Sequence, residues 1–484
     1  MEPLPLTAGH IAAATGGRIL RGSGDDPIGR VSIDSRTLQT GDFFVAIRGE
    51  RFDGHAFVGD ALAKGAAGVM VRDVSVVPDL ARGRTAGEAP VAPQAGQARP
   101  ALVIQVEDTT RALQEIARDI RRRSGVRLAA VTGSAGKTTT KEIAAEFLSA
   151  RYRVFRNKGN LNNHIGLPLS LLELRARPDV AVVELGMNHP GEIRTLIGIA
   201  EPEVRVWTNV GDAHMAFFGS ADAIADAKGE IAEDARPDDV LIANANDPRV
   251  MARTARFKGR LVTFGVDTAA DVRATGVKEK GLEGTAATIV TPAGQIEVDT
   301  PLLGMGNLAN VLAATAVALE FDVPLSAVAE RAARLGAAEH RGELLRLPGG
   351  VTLIDDSYNS SPAALKGALE VVASAIGSAR KVAVLGEMLE LGEQATALHR
   401  ECGAAAAAAG LNVLIAVGGA PASELAAAAV AGGMPERSVA HVATSEKAAA
   451  VALERVRPGD LVLVKGSRGI GTDVVVERLK EEFA

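Results

Sequence analysis

The residues Gly133-Ser134-Ala135-Gly136-Lys137-Thr138-Thr139 follow the apolar run LAAV and lead without a break into the helix-forming stretch KEIAAEFL. A glycine turn at the head of a helix offers backbone amides to anionic oxygens, a lysine adds a point charge, and a threonine hydroxyl can ligate Mg2+. Together they would hold a polyphosphate and its metal. The strict GxxxxGK[ST] spacing would need glycine where Val131 stands, so the shorter TGxxGKT remains. Such a cradle needs an acid for its cation, and Glu184, closing the run VAVVE, is the best placed. His214 in NVGDAHM reads by itself as a loop hydrogen-bonding residue or as a ligand. Lys228 in ADAIADAKGEI reads alone as a solvated helix-surface lysine, and DDSYNSSP as a capped turn.

The elements that must position these groups follow from the apolar pattern. Between residues 108 and 321, the runs LAAVTGSAGKT, DVAVVELGMNH, VRVWTNVGDAH and DVLIANANDP each end in a polar or glycine turn. That is the pattern of a parallel sheet buried on both faces, and ligands of such sheets collect beyond the carboxyl ends of the strands. Glu184, His214 and Asn244 to Asp247 are therefore expected to converge near the glycine loop. Residues 1–107 place VSIDS, GDFFVAI and AGVMV around HAFVGDALAKGA, a small α/β domain. Within it, residues 77–100 are rich in Ala, Pro and Gly and read as a mobile surface insertion. Residues 322–484 repeat the buried-strand pattern in VTLIDDSYNSSP, KVAVLGEM, NVLIAVGG and DLVLVKGSRG, a second doubly wound domain. Ser361-Pro362 marks a helix start, with serine as cap and proline at the first helical position. The fold class is α/β in three domains.

Composition excludes several classes. No apolar run is long enough to span a bilayer, and the start of the chain lacks a basic and then apolar signal, which points to the cytoplasm. A single cysteine, Cys402, rules out an internal disulfide framework and a cysteine zinc site. A net charge of -6 with both signs interspersed argues against nucleic-acid binding. The one basic run, Arg121-Arg122-Arg123, reads as a solvated helix end complementing the dipole.

In chain order, VTGSAGKTTTKE, NKGNLNNHIGLPLSLL, ELGMNHPGEI, NVGDAHMAFFGS, AKGEI, ANANDP, DDSYNSSPAALKGAL, VLGEMLELGE and VKGSRG resemble the Mur ligases of peptidoglycan synthesis. The resemblance runs from DSRTLQTGDFFVAIRGERFDGH nearly to the end. NNHIGLPLSLL, DDSYNSSP and LGEMLELGE resemble the branch joining D-alanyl-D-alanine to UDP-N-acetylmuramoyl-tripeptide through an acyl phosphate. The alternative is the branch adding a single amino acid to the UDP-muramoyl-dipeptide, whose meso-diaminopimelate members carry a DNPR motif absent from this chain. A nucleotide switch of another class would need an NKxD-type base-reading motif after a strand, and ANANDP is not one.

The resemblance implies a uridine-nucleotide-binding first domain, a P-loop ATPase-like second and a Rossmann-like third. ATP and Mg2+ are implied, with Gly133, Ser134, Ala135, Gly136, Lys137, Thr138 and Thr139 around the phosphates. Thr138, Glu184 and His214 are the implied metal ligands, and Lys228 falls where many members carry a carbamylated lysine. Lys137, His214 and Lys228 form the implied catalytic set. Asn307 matches an asparagine near the adenine, although Gly306 stands where the family has histidine. Arg341 and Asp356 match residues closing over ATP, Ser35 and Arg36 the uridine side, and Asn162, Asn163, Asn359 and Ser360 the other substrate contacts. His189 is available as a base for the incoming amine and reads equally as a hydrogen-bonded loop residue. The expected partners are the two substrates, with no nucleic acid, the protein is expected to be a monomer, and a mobile third domain is expected to close over ATP.

Overall fold

The computed structural model describes residues 2–49, 52–78, 80, 100–212, 215–377 and 380–484. Most of the insertion expected at 77–100 lies outside the described residues. Among the described residues, three sheets, of five, nine and six strands, are distributed over two compact units.

The first unit comprises residues 1–128, 157–181 and 195–201. Its sheet runs Arg18–Arg21, Leu102–Gln105, Gly68–Val71, Phe43–Val45, Val31–Ser32. Only the edge strand Arg18–Arg21 is antiparallel to its neighbour. Phe43, Phe44, Val69 and Val103 are buried in it, as a sheet covered on both faces requires. The helix Thr109–Ser124 opens where the Asp108 carboxylate accepts the Thr110 and Arg111 amides, and ends at Gly125 in the left-handed region. It packs against the helices Ala8–Thr15 and Gly166–Leu171. Arg175 ties the segment after Gly166–Leu171 to the chain start, donating to the carbonyls of Leu4, Ile28 and Gly29.

The basic run closes the helix Thr109–Ser124 and leaves Arg122 exposed, but Arg121 is not solvated. Arg121 is buried and donates to the carbonyls of Ala200 (2.7 Å) and Glu201 (3.0 Å), while Arg118 and Arg122 pair with the Glu201 carboxylate. The last carbonyls of a helix have no intrahelical donor, and Arg121 satisfies those at the end of Glu192–Ala200.

The second unit comprises residues 129–156, 182–194 and 202–484. Its larger sheet has the order Gly294–Thr300, Thr285–Thr291, Val272–Glu279, Arg260–Val266, Val240–Asn244, Val204–Trp207, Arg127–Thr132, Val180–Glu184, Val154–Arg156. Pairing is parallel from Arg127–Thr132 to Val272–Glu279 and antiparallel for the last two strands. Helix Gly304–Glu320 packs on Lys137–Leu148, and helix Leu325–Ala332 on Lys137–Leu148 and Gly294–Thr300. An Arg331–Glu146 ion pair adds to the contact between Leu325–Ala332 and Lys137–Leu148.

The six-stranded sheet has the order Glu343–Arg346, Thr352–Asp356, Asp460–Lys465, Arg380–Gly386, Val413–Val417, Val439–Val442, parallel except for its first strand. Alternate residues enter opposite cores: Leu461, Leu463, Ala383 and Leu385 on one side, Val462, Val464, Val382 and Val384 on the other. That is the doubly wound arrangement expected from the apolar runs. Pro362 opens the helix Pro362–Ser374 as anticipated, but the Ser361 side chain makes no capping bond. Among the described residues, no helix is long and apolar enough to cross a membrane.

Candidate nucleotide and ligase site

The glycine loop depends on glycine at two positions. Gly133 and Gly136 have φ of 149° and 81°. A Cβ on Gly133 would stand 1.9 Å from Thr208 Oγ1, and one on Gly136 2.3 Å from Asn310 Oδ1. Gly136 also caps the helix Lys137–Leu148 without a side chain, leaving first-turn amides for an anion. The loop is braced by Thr208 to Gly211. Asn209 accepts the Ala135 amide (2.9 Å) through Oδ1 and donates through Nδ2 to the Ala135 carbonyl (3.2 Å). Ser134 Oγ accepts the Gly211 amide at 2.8 Å.

The expected convergence of 244–247 holds, in a supporting form. Asn244 Nδ2 donates to the Thr208 carbonyl (2.8 Å) and Asp247 Oδ2 accepts the Val210 amide (2.7 Å). Both hold the bracing segment, while Asn246 bonds to Val266. Thr208, Asn209 and Asn310 escaped the sequence reading. Asn209 lay within the NVGDAHM run, and Asn310 stands one helical turn beyond Asn307 on the same face.

Lys137 folds back on the loop, its Nζ donating to the Gly133 carbonyl at 2.9 Å. Burial lowers its pKa, the Glu184 charge opposes that, and the Arg341 charge adds to it. Thr138 Oγ1 donates to Glu184 Oε2 at 2.7 Å, joining the two groups that were expected to share a cation. A hydroxyl and a carboxylate are the hard oxygen donors Mg2+ takes, so the pair fits that ion.

Lys228 is not a surface lysine. Only 1% exposed, it stands on the inner face of helix Ala221–Gly229 with Ile224, Ala225 and Ala227. Burial pulls its amine well below the ordinary lysine range, the Lys137 charge pulls it further, and Glu184 opposes both. Beside it, buried Glu230 accepts the amides of Gly191 (2.7 Å) and Arg194 (3.0 Å), fixing the loop after Glu184. His214 lies outside the described residues.

Within the same unit, Arg341 stacks over the Tyr358 ring, 4.0 Å from its centroid. Asp356 accepts Lys465 Nζ at 2.6 Å; burial raises its carboxyl pKa, while Lys465 and then Arg341 oppose the rise. Lys465 also donates to the Asn359 carbonyl. Asn359 is exposed, and Ser360 is buried with no hydrogen-bond partner for its Oγ among the described residues. Asn307 donates to the Leu303 carbonyl and accepts from Asn310 Nδ2 at 3.3 Å, which places it beside the glycine loop's neighbour. A Cβ on Gly306 would meet nothing within 4 Å. Thr139 is half-buried in the first turn after the loop. His189 is exposed, its amide bound by Glu192 and its ring edge-on to Phe217 at 5.3 Å.

In the first unit, Lys64 Nζ donates to the Ser35 carbonyl (2.7 Å), and exposed Arg36 forks onto Asp34. The Arg36 hydrogen bonds lower the Asp34 pKa to about 2. Asn163 Oδ1 accepts the amides of Ile165 and Gly166, opening the helix Gly166–Leu171, while the Asn162 amide bonds to the Asn160 carbonyl.

A glycine cradle, a lysine and an acid–hydroxyl pair at the carboxyl ends of a parallel sheet define a P-loop nucleotide-binding protein. The chain belongs to the Mur ligase family. The Mur ligase middle domain matches residues 131–318, the Mur ligase glutamate ligase domain 340–468, and the Mur ligase family catalytic domain 27–121. Among its relatives, the UDP-N-acetylmuramoyl-tripeptide–D-alanyl-D-alanine ligase of Bacillus subtilis is 35% identical over 93% of each chain. That of Escherichia coli is 35% identical over 94% of this chain and 95% of its own. The crystal structure of MurF from Acinetobacter baumannii superposes with a TM-score of 0.86 at 30% identity, covering 99% of this chain and 100% of that one. MurF from Thermotoga maritima in complex with ADP gives 0.78 at 28% identity, over 94% and 97%.

Proposed function

We propose that this chain is the ATP-dependent ligase that joins D-alanyl-D-alanine to UDP-N-acetylmuramoyl-tripeptide, forming the pentapeptide precursor of peptidoglycan. The observation that carries the reading is end-to-end likeness to ligases of that name, with 35% identity over 93% of both chains. A ligase of the diaminopimelate-adding branch shares only 19% identity, a likeness of fold.

A carboxylate does not acylate an amine at neutral pH, because oxide is too poor a leaving group. In the proposed reaction the tripeptide's terminal carboxylate attacks the γ-phosphorus of ATP, ADP leaves, and an acyl phosphate forms. The dipeptide amine then attacks the acyl carbon, phosphate leaves, and one proton is released. Lys137 and the loop amides bind and align the phosphates, which is most of what a protein contributes to phosphoryl transfer. Thr138 and Glu184 would hold Mg2+, with His214 as a further ligand. Bound there, the ion screens the charge on the phosphoryl oxygens. Lys228, with its depressed amine pKa, is suited to take up carbon dioxide and present a carbamate carboxylate towards the same ion. Asn307 is assigned to the adenine side and Arg341 and Asp356 to the C-terminal side of ATP. Ser35 and Arg36 are assigned to the uridine nucleotide, and Asn162, Asn163, Asn359 and Ser360 to the peptide substrates. The proposed compartment is the cytoplasm.

The test is phosphate release from ATP with UDP-N-acetylmuramoyl-tripeptide, comparing D-alanyl-D-alanine, single amino acids and glutamate as acceptors and recording product mass. Release with a mass gain only for the dipeptide supports the reading. Release with a single amino acid would move the enzyme to a sister activity.

A further inference from the structure

Tyr358 sits against two arginines. Arg341 lies over its ring at 4.0 Å from the centroid. Arg468 comes to 5.1 Å from the same centroid, and its Nη1 donates to the phenol oxygen at 2.8 Å. Tyr358 follows the strand Thr352–Asp356, and Arg468 follows Asp460–Lys465. The two strands are parallel neighbours, so both residues stand beyond the carboxyl ends, where ligands of such sheets collect.

Two of the nearby carboxylates are already engaged: Asp356 by Lys465, with the Arg341 charge also acting on it, and Asp355 by His340 and Ser357. Among the described residues neither Arg341 nor Arg468 is ion-paired, and Arg468 is exposed. Two unpaired guanidinium groups on one ring repel each other, and an oxyanion bound between them would convert that repulsion into attraction.

We propose that Arg341 and Arg468, mounted on Tyr358, form an oxyanion seat, and that Arg468 holds there the free carboxylate of the dipeptide acceptor. The inference rests on the ligase reading above. The amine of a dipeptide must reach the acyl carbon, and its carboxylate lies at the far end. An anchor on that carboxylate therefore aims the amine, and the planar arginine fork matches it in a way a lysine cannot. The other oxyanions at hand are the phosphoryl oxygens of ATP. Those belong to the Arg341 side, to which the proposed function above assigns ATP. Tyr358 is a positioning residue, and Arg468 a substrate-binding one.

Steady-state kinetics of Arg468→Lys, Arg468→Ala and Tyr358→Phe, with D-alanyl-D-alanine and its C-terminal amide as acceptors, test the seat. For both Arg468 variants the KM for the dipeptide should rise tenfold or more, with the KM for ATP and for the nucleotide-tripeptide within twofold of the parent. The parent should prefer the free carboxylate over the amide, and Arg468→Ala should lose that preference. Tyr358→Phe, which keeps the ring and loses the hydroxyl, should show a smaller rise. An unchanged dipeptide KM with the carboxylate preference intact overturns the proposal, and so does a rise confined to the KM for ATP. Should the parent make no product with any dipeptide, the ligase reading itself fails and takes the seat with it.

Discussion

At the scale of single residues, the site is a set of groups that burial and backbone geometry have taken out of their ordinary states. A β-carbon at position 136 would need space that Asn310 already fills, on a backbone with positive φ. Gly136→Ala should therefore weaken ADP binding by about 100-fold or more, the scale on which a misaligned group costs catalysis. Isothermal titration would check this, and an unchanged affinity would show that the loop adapts. Lys228→Met replaces a buried amine with an apolar side chain of similar length. We expect at least as stable a fold by thermal melting, with kcat reduced by about 10² to 10³, the usual cost of losing one preorganised group. Rescue of Lys228→Ala by short carboxylic acids, and a dependence of the parent on bicarbonate, would tie the loss to a carbamate. Full activity in Lys228→Ala would remove that role. Thr138 and Glu184 were legible from the glycine turn and the acid that closes VAVVE, and Lys228 joined them only through the resemblance. Asn209 and Asn310 were not, because an asparagine in a loop or on a helix carries no mark of which backbone it will brace.

At the scale of elements, strands with buried runs were legible and strands with one wet face were less so. Thr285–Thr291 alternates buried and half-buried residues, and Gly294–Thr300 is mostly exposed, so neither gave the continuous apolar signal of the parallel strands. Arg121 misled for a related reason: charge in a helix's last turn suggests water, and only the tertiary structure brings two unsatisfied carbonyls to it. In the first sheet, Asp42 precedes the strand Phe43–Val45, accepts Arg30 and the Gln39 amide, and is nearly buried. Its hydrogen bond from Arg30 is the chief cause of a lowered pKa. A carboxylate whose folded pKa lies below its unfolded value contributes stability above the unfolded value, and that contribution is lost as pH falls through the folded one. The Tm of the parent should thus exceed that of Asp42→Asn most at neutral pH, and the gap should narrow below about pH 4. A gap independent of pH would show that the charge on Asp42 contributes nothing.

At the scale of the whole molecule, the order of segments along the chain is not the order of compact units. The first unit draws on residues 157–181 and 195–201 as well as 1–128. Arg175 holds three carbonyls of the chain start, and Glu201 holds Arg118 and Arg122. A fragment ending at residue 128 would leave those partners bare and the packing face of the helix Thr109–Ser124 open. We expect it to show little cooperative unfolding by circular dichroism, and a sharp melting transition would contradict that. In the second unit, the Arg341 charge acts on Lys137, and the Ala216 amide donates to the Glu390 carbonyl at 2.9 Å. Small-angle scattering should show compaction when ATP and the nucleotide-tripeptide bind, and an unchanged radius of gyration would argue that no closure occurs.

The same interleaving bears on how the chain is made. A ribosome releases its product from one end, at about 5–20 residues per second. The partners that Arg118, Arg122 and the chain start require emerge only with residues 157–181 and 195–201, by which time the glycine loop and its helix have already left the exit tunnel. The amino-terminal unit must therefore wait several seconds, unfinished, while part of the next unit is threaded out ahead of its completion.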